Sequence, residues 1–299
     1  MASAYSLVGG KEDANAEPRF VWFGRQRDLP TAFSYSGQML TGSAIPGYYS
    51  FPVLASSWSA VGINPVAGDH DVYVDNHKDF SAPYASSTGS AGVRDFTVTN
   101  GFIWGNATRY AEVRFGLAST YYLEAEWGLT NIPVGWGRGS SFWANEVLEA
   151  AQVNLTAGLR YTARVSITSG STDPGLFIFS SDASAGSRYT ATWSANDNGA
   201  GGTETLTFTA TASGWHCIVL TDENGLAGDY TLTVAPLPAN DEICAATTIA
   251  SLPYSTSENT YLATTAPSDP ITTCGAYNSA WSPGIRGCGP PQEPRSCLR

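Results

Sequence analysis

The sequence has little charge, almost no lysine and no long apolar run. Asp, Glu, Lys and Arg together make up 14% of its 299 residues, well below the quarter that is usual for soluble domains. Lysine occurs only at Lys11 and Lys78. No stretch of about eighteen apolar residues exists, so the sequence contains no segment suited to cross a membrane as a helix. The net charge of −11 and the lack of a basic stripe argue against nucleic-acid binding.

Cysteine and histidine are too few and too scattered to predict a zinc site. There is no C-x-x-C among the five cysteines, and the three histidines are His70, His77 and His216. The motifs G-x-S-x-G, H-E-x-x-H and the P-loop are also missing. We therefore expect that the chain is not an enzyme. We expect no cofactor other than a calcium ion, considered below.

The residues that are abundant favour strands. Ser, Thr, Gly and Asn are frequent, aromatic residues make up 12%, and this mixture suits short strands joined by polar turns. Residues 93–99 alternate, with Phe96 and Val98 on an apolar face and Asp95, Thr97 and Thr99 on a polar one, as in a half-buried antiparallel strand. The same alternation recurs at regular spacing along the chain, so we predict an all-β fold of tandem antiparallel β-sandwiches, Ig-like or jelly-roll-like.

Two segments 109 positions apart indicate a repeat. GLASTYYLEAEWG begins at Gly116 and GLAGDYTLTV begins at Gly225, and we predict that they are equivalent last strands of one repeated unit. The predicted division is a 1–45 extension with a short strand and linker, a first β-sandwich over 46–130, a Gly- and Trp-rich linker over 131–144, a second β-sandwich over 145–236, and the truncated start of a third β unit with an irregular tail over 237–299.

The second unit resembles the bacterial pre-peptidase C-terminal family of β-sandwich domains. The motifs that carry the resemblance are, in order, LTAGLRYTARV, DPGLFIF, SANDNGAGG, LTFTATASGWHCIVL and GLAGDYTLTV. The resemblance implies a non-catalytic domain that accompanies secreted hydrolases or stands in tandem in surface proteins. Residues 240–281 are similar to the opening of another such repeat. This similarity, with an oxidising secreted compartment, implies a disulfide between Cys244 and Cys274 and leaves Cys217 as a buried free thiol.

The ends of the chain carry two further expectations. Residues 1–20 lack the basic and apolar regions of a signal peptide, so either the signal is missing or the chain is a fragment of a longer reading frame. The Pro-rich residues after Trp281 are typical of a truncation or a shifted reading frame.

Three sets of residues are candidates for a site. Asp69, Asp71 and Asp75 supply oxygen ligands of the kind calcium prefers; the alternative, which we favour, is a solvated turn and strand edge. The second set is Trp136 and Trp143, which could form a platform for sugar rings or could be buried as packing between the sandwiches; we favour packing.

The third set, Glu124 and Glu126, has the composition of a glycosidase pair. The alternative, which we favour, is a solvated strand edge.

The function expected from these observations is that of a structural or adhesive array of modules in a secreted bacterial surface protein, located outside the cell. Its partners would be other domains or copies of the same protein, with glycans as a further class, and neither nucleic acid nor a membrane span. One alternative is a carbohydrate-binding accessory region of a secreted hydrolase. Another is a subunit of an extracellular filament that assembles by strand pairing between chains.

Overall fold

The computed structural model describes residues 30–42, 47–115, 120–238, 248–251, 253 and 255. Within these residues the only helical segments are α1 (Gly101–Trp104) and a 3-10 turn at Arg188–Thr190. The strands are β1 Thr31–Ala32, β2 Gln38–Gly42, β3 Gly47–Val53, β4 Trp58–Pro65, β5 His70–Asp75, β6 Ala85–Ser87, β7 Asp95–Asn100, β8 Ala107–Phe115, β9 Tyr121–Trp127, β10 Thr130–Ile132, β11 Gly137–Phe142, β12 Glu149–Leu155, β13 Arg160–Gly170, β14 Pro174–Phe179, β15 Ala185–Ser187, β16 Trp193–Ala195, β17 Thr203–Thr209, β18 Gly214–Asp222 and β19 Gly228–Pro236.

The strands form four sheets. Sheet A has the order β1-β3-β8-β5-β6, sheet B β15-β7-β4-β9-β2, sheet C β10-β12-β18-β14-β16 and sheet D β11-β19-β13-β17. Strands β1 and β10 run parallel to their neighbours, and the other pairings are antiparallel. The prediction of an all-β fold with tandem antiparallel sandwiches is therefore confirmed.

The two sandwiches repeat one topology. Replacing β1, β3, β8, β5 and β6 of sheet A by β10, β12, β18, β14 and β16 reproduces the order of sheet C. In sheets B and D, four strands correspond in the same way, β7, β4, β9 and β2 to β17, β13, β19 and β11, while β15 of sheet B has no equivalent in sheet D. In this correspondence β9 of the first sandwich matches β19 of the second. Strand β9 lies between β4 and the edge strand β2, and β19 lies between β13 and the edge strand β11. The two segments that suggested the repeat are thus its equivalent last strands.

Three apolar layers separate the four sheets. Alternation along each strand sends odd and even residues to opposite faces, and in β4 both sets are buried. One layer fills the space between sheets A and B and a second fills the space between C and D. The third lies between B and C and joins the two sandwiches; its members are Trp58, Ala60, Phe96, Val98, Leu129, Val147, Leu148, Ala150, Phe177, Phe179, Cys217 and Val219.

Several local predictions from the sequence are wrong. Residues 131–144, predicted as a linker, contain most of β10 and all of β11, which pair with β12 and β19. The turn-like run before residue 45 contains β2, which pairs with β9. Residues 144–155, which have a helix-like composition, contain strand β12. In each case pairing with a neighbouring strand outweighs the local preference of the sequence.

The third unit and the termini lie outside the described residues for the most part. The same is true of the disulfide predicted between Cys244 and Cys274. Cys217 is described, and it is a free thiol with 0% exposure. It packs in the layer between sheets B and C together with Val219, as the alternation of β18 predicts.

Candidate functional site

The three aspartates of the predicted calcium site do not form one ligand group. Asp75 is 1% exposed, and its two oxygens accept hydrogen bonds from the backbone N–H of His77 at 3.0 Å and of Ala82 at 3.1 Å. Asp71 accepts a weak hydrogen bond from the Tyr73 hydroxyl. Among the described residues, no group of three or more His, Cys, Asp or Glu side chains is arranged to hold a metal ion. Asp75 instead builds the turn that follows β5.

The two tryptophans of the candidate sugar platform are on the surface. Trp136 is 74% exposed and Trp143 is 73% exposed, so the prediction that they are buried between the sandwiches is wrong. They flank the two ends of β11, which is an edge strand of sheet D. Both residues adjoin an edge strand, because β11 pairs with β19 and has no second neighbour in sheet D.

Glu124 and Glu126 are buried, and the prediction of a solvated edge is therefore also wrong. They lie in β9, which pairs on both sides, with β4 and β2. Glu124 Oε2 accepts hydrogen bonds from the backbone N–H of Val147 at 3.1 Å and of Leu148 at 3.3 Å. Glu126 Oε2 accepts one from Ala150 at 2.7 Å. Carboxyl groups of the first sandwich thus satisfy backbone donors at the entry to the second.

Glu146 and Glu149 complete a group of four acids that we call the junction carboxyl cluster, with Glu124 and Glu126. Glu146 Oε2 accepts a hydrogen bond from the backbone N–H of Trp143 at 2.6 Å, and Glu149 Oε2 accepts one from the Tyr230 hydroxyl at 3.1 Å. Glu146, Glu124 and Glu126 are each no more than 9% exposed. The cluster lies where β9 of sheet B meets the start of β12 of sheet C.

Burial raises the pKa of all four acids in the junction carboxyl cluster. Desolvation is the largest cause in each case, because an apolar surrounding disfavours the charged form. It raises the pKa of Glu124 to about 7 and that of Glu146 to about 8, with smaller opposing effects from their backbone hydrogen bonds. Burial and the neighbouring Glu149 and Glu124 hold the pKa of Glu126 well above its ordinary value. The cluster therefore holds protons at a pH where surface glutamates have lost them.

Directional contacts add to the apolar layer between the sandwiches. The Asn100 side chain donates hydrogen bonds to the carbonyls of Ser181 at 3.0 Å and Ala183 at 2.9 Å. The Trp58 indole N–H donates to the Trp215 carbonyl at 2.8 Å. Strand β15, which follows β14 in the second unit, pairs with β7 and so extends sheet B of the first sandwich. A segment of the second unit is therefore part of a sheet of the first sandwich.

Aromatic rings fill the centre of this junction. Phe96 is 0% exposed, and its ring centroid lies 5.1 Å from that of Phe177 and 6.1 Å from that of Phe179, both in edge-to-face orientation. Such pairs contribute beyond their buried area. The apolar face of β7 therefore faces the second sandwich, and the strand, predicted to be half-buried, is buried on both faces.

Close packing at Gly62 gives a first testable prediction. A Cβ atom on Gly62 would lie 2.7 Å from Leu148 Cδ2 and 3.0 Å from Val147 Cγ1. Gly62→Ala is expected to lower the free energy of unfolding by about 1–3 kcal/mol, because overpacking forces the two units apart. Urea denaturation measures this. In the control, Gly199→Ala, the new methyl group meets nothing within 4 Å; equal stability of the two variants would contradict the close approach.

Sequence reasoning missed Glu146 and Glu149. Both lie in residues 144–155, whose composition is helix-like, and nothing in that stretch indicates that they lie beside Glu124 and Glu126. No pattern in the sequence marks them, because the burial of β9 on both faces depends on a second sheet that covers Glu124 and Glu126. When a strand has glutamates on one face and apolar residues on the other, the glutamate face is solvated only if no further sheet covers that face.

The fold defines the chain as an all-β protein of two β-sandwich units whose inner sheets, B and C, pack face to face. No protein-family model matches the chain, and no curated protein matches it. The resemblance of residues 145–235 to the pre-peptidase C-terminal family therefore stays a prediction. No helix among the described residues is long and apolar enough to cross a membrane.

Solved structures similar to the chain share little of its sequence. A candidate secreted protein from Eubacterium rectale is 12% identical, with a TM-score of 0.24, over 77% of this chain and 86% of that one. The turret protein A223 of Sulfolobus turreted icosahedral virus is 12% identical, with a TM-score of 0.20, over 68% and 99%. The PBSX exported protein XepA is 11% identical, with a TM-score of 0.18, over 61% and 86%. At these TM-scores the similarities carry no argument about function.

Proposed function

We propose that the chain is a structural, non-catalytic region of an extracellular protein, in which two β-sandwiches act as one rigid spacer. The observation that carries the proposal is the buried layer between sheets B and C. Domain pairs that move relative to each other usually meet through smaller and more polar surfaces. Here strand β15 also crosses into the neighbouring sheet, so the sandwiches could separate only by breaking a sheet.

The two outer faces of the stack support the same proposal, because they are polar. On sheet A, the Tyr48 hydroxyl donates to Glu112 at 3.1 Å, and the Arg114 guanidinium lies 2.7 Å from Glu112 and over the Tyr73 ring. The outer face of sheet D is rich in hydroxyl groups: its residues are Thr162, Ser166, Thr205, Thr207, Thr231 and Thr233, with Arg164 among them. In a stack of repeated units, polar outer faces at both ends keep the end units soluble and limit the stack to a fixed number of units. This suits a spacer of defined length.

Limited proteolysis tests the spacer proposal. Arg138, the first trypsin site after the connection between the sandwiches, is held in β11 of the second sandwich by pairing with Leu232 of β19. We expect trypsin to release no separate halves of the chain under native conditions, because cleavage requires the backbone around Arg138 to open locally and strand pairing holds it closed. Early cleavage at Arg138 into two stable fragments would show two independent domains and would contradict the proposal.

The non-catalytic part of the proposal rests on the surroundings of the histidine in the second sandwich. His216 is 0% exposed, its Nδ1 lies 3.0 Å from the Gly214 carbonyl, and its ring stacks on Trp193. Burial lowers its pKa. We expect no turnover of peptide or glycoside substrates; turnover that a single substitution abolishes would contradict this part of the proposal.

A carbohydrate-binding accessory role is the second candidate, favoured by the exposure of Trp136 and Trp143. Each indole offers a large apolar surface to solvent, which is the surface that a sugar ring needs. The double variant Trp136→Ala/Trp143→Ala is expected to change the free energy of unfolding by less than about 0.5 kcal/mol, because neither ring is buried. A pull-down on insoluble polysaccharides compares this variant with the wild type; retention of both proteins, or of neither, would remove the candidate.

A further inference from the structure

Most sheet edges among the described residues are short, and the longest belong to sheet D. The edge strands β1, β6, β10, β15 and β16 contain two or three residues each, and a short edge offers little backbone to another chain. Sheet B ends in β2, with five residues, whereas sheet D ends in β11 with six and in β17 with seven. Sheet D therefore offers the largest open edges for pairing with a further strand.

The backbone groups of β11 alternate between the neighbouring strand and the open edge. The Gly135 N–H donates to the Val234 carbonyl at 2.7 Å, so Val234 of β19 faces the side of β11. In an antiparallel pair, every second residue directs both its N–H and its C=O to the same neighbour. The same therefore holds for alternate residues along β19, and these pair with Arg138, Ser140 and Phe142. The remaining residues of β11 direct their N–H and C=O groups to the open edge, where no described residue pairs with them: Gly137, Gly139 and Ser141.

The two most exposed large apolar side chains among the described residues flank this same edge. Trp136 directly precedes β11 and Trp143 directly follows it. Tryptophan is a side chain that binding interfaces favour and that often contributes much of their affinity. Strand β17, at the other edge of sheet D, is instead flanked by Gly202 and Ala210. An open backbone edge with an aromatic anchor at each end fits an added strand of the same length.

We propose that β11 pairs with β11 of a second copy of this chain, antiparallel and centred on Gly139. The open groups are arranged symmetrically about this residue, so Gly139 would oppose its own equivalent and Gly137 would oppose Ser141 on either side. Each of these opposed pairs can exchange two backbone hydrogen bonds. The same register brings Trp136 of each copy close to Trp143 of the other, because the two rings lie at opposite ends of the strand. A second copy therefore matches the edge in length, in direction and at both anchors.

The pairing closes after two copies and gives a weak dimer. A two-fold interface uses the same surface on both copies, so it leaves no second β11 edge for a third. Residues 133–143 contain no acid, so this register opposes no carboxylates within the paired segment. The two strand edges and their indole rings would bury roughly 1,000 Å², the class of weak complexes, and we expect a dissociation constant of about 10–100 µM. The inference is independent of the spacer proposal, and it predicts self-association where the carbohydrate candidate predicts retention on polysaccharide.

The test is sedimentation equilibrium of the full chain from about 1 µM to about 1 mM, a range that spans the expected affinity. Gly139→Pro removes the central open N–H, at a position where an edge strand tolerates proline, and should weaken the dimer about 100-fold because both copies carry the change. Gly139→Ala keeps the N–H, and its Cβ would lie 3.9 Å from the Tyr230 carbonyl oxygen, so it should dimerise like the wild type. Thr205→Pro makes the same change on the open side of β17, since Ala210 bonds to Leu159 on the other side, and should also leave the dimer intact.

Hydrogen exchange and one further variant keep the test decisive. As the concentration rises, the amides of Gly139 and Ser141 should exchange more slowly, while that of Ser140 is protected at every concentration by β19. Trp143→Ala, which removes an exposed ring, should weaken the dimer about tenfold and serves if Gly139→Pro does not fold. A monomer at every concentration, or a dimer that both variants leave unchanged, overturns the proposal. Loss of the dimer in Thr205→Pro, or assemblies larger than two copies, would overturn it in favour of head-to-tail pairing between β11 and β17.

Discussion

Raising the pH from about 5 to about 8 is expected to destabilise the folded protein through the junction carboxyl cluster. The pKa of Glu124 in the folded protein is about 7, against an ordinary value of 4.5. Below about pH 4.5 this carboxyl is protonated in both the folded and the unfolded chain, so it costs nothing. As the pH rises, the unfolded chain loses the proton first, and the folded state becomes progressively less favourable until the pH passes the folded pKa.

The size of the effect follows from the shift. The difference of about 2.5 between the two pKa values corresponds to about 3.5 kcal/mol for Glu124 alone, at about 1.4 kcal/mol for each pKa unit. Glu146 acts in the same direction, with a pKa of about 8. His216 acts in the opposite direction at low pH, because burial lowers its pKa and its folded form resists protonation. The difference in stability between Glu124→Gln and the wild type therefore isolates the contribution of Glu124 better than the pH dependence of the wild type alone does.

Glu124→Gln is the variant that separates charge from shape. Its amide oxygen can still accept the N–H groups of Val147 and Leu148, but it carries no titratable proton. Urea denaturation across this pH range should show that Glu124→Gln gains stability relative to the wild type as the pH rises. Asp229→Asn, at an exposed carboxyl whose pKa is lowered by hydrogen bonds from the Ser141 and Ser169 hydroxyls, is the control and should not reproduce that trend. A constant difference between Glu124→Gln and the wild type at every pH would contradict the assignment.

Phe96→Ala is expected to have the other large effect and to split the unfolding transition in two. The ring is fully buried between sheets B and C against Phe177 and Phe179. Its removal should cost about 3–5 kcal/mol, the range for truncating a buried aromatic side chain. Because the lost contacts join the two sandwiches rather than the sheets of one, the remaining interactions no longer force the units to unfold together. Fluorescence and circular dichroism should then give different midpoints.

Phe208→Ala provides the control for that experiment. Phe208 is 4% exposed and packs between sheets C and D, with its ring centroid 4.5 Å from that of Trp193. Its removal should cost a similar free energy, but the junction remains intact and the two probes should still report one transition. If Phe96→Ala also unfolds in one step with coincident probes, the layer between B and C does not couple the sandwiches.

The sequence was sufficient to predict the all-β class and the repeat, but it did not reveal every strand or how the sheets stack. Alternation in β7 correctly separates Phe96 and Val98 from Thr97 and Thr99, yet it does not say which partner covers the apolar side. In the structure the second sandwich covers it, while the polar side faces sheet A, where the Thr99 and Tyr84 hydroxyls lie 2.8 Å apart. An alternation of apolar and polar residues with a period of two shows only which residues share a face of the strand. Which sheet covers that face depends on contacts between residues that are distant in the sequence.

The carboxyl cluster was unpredictable for the same reason. Glu124 and Glu126 occupy the polar positions of an alternating strand, and an edge location would have left them in water. They are buried because residues 146–150 cross their face and present backbone N–H groups to them. The free thiol of Cys217 was predictable because its neighbours in the strand already defined an apolar face.

The central claim is that the two sandwiches form one rigid body, and residual dipolar couplings test it most directly. Backbone amides of β4, β5 and β8 report the orientation of the first sandwich, and those of β13, β14 and β18 report the second. In a weakly aligned sample, a single alignment tensor should fit both sets of couplings, since the buried layer and strand β15 fix their orientation. Two tensors of different magnitude would show that the sandwiches move independently, and would contradict the claim.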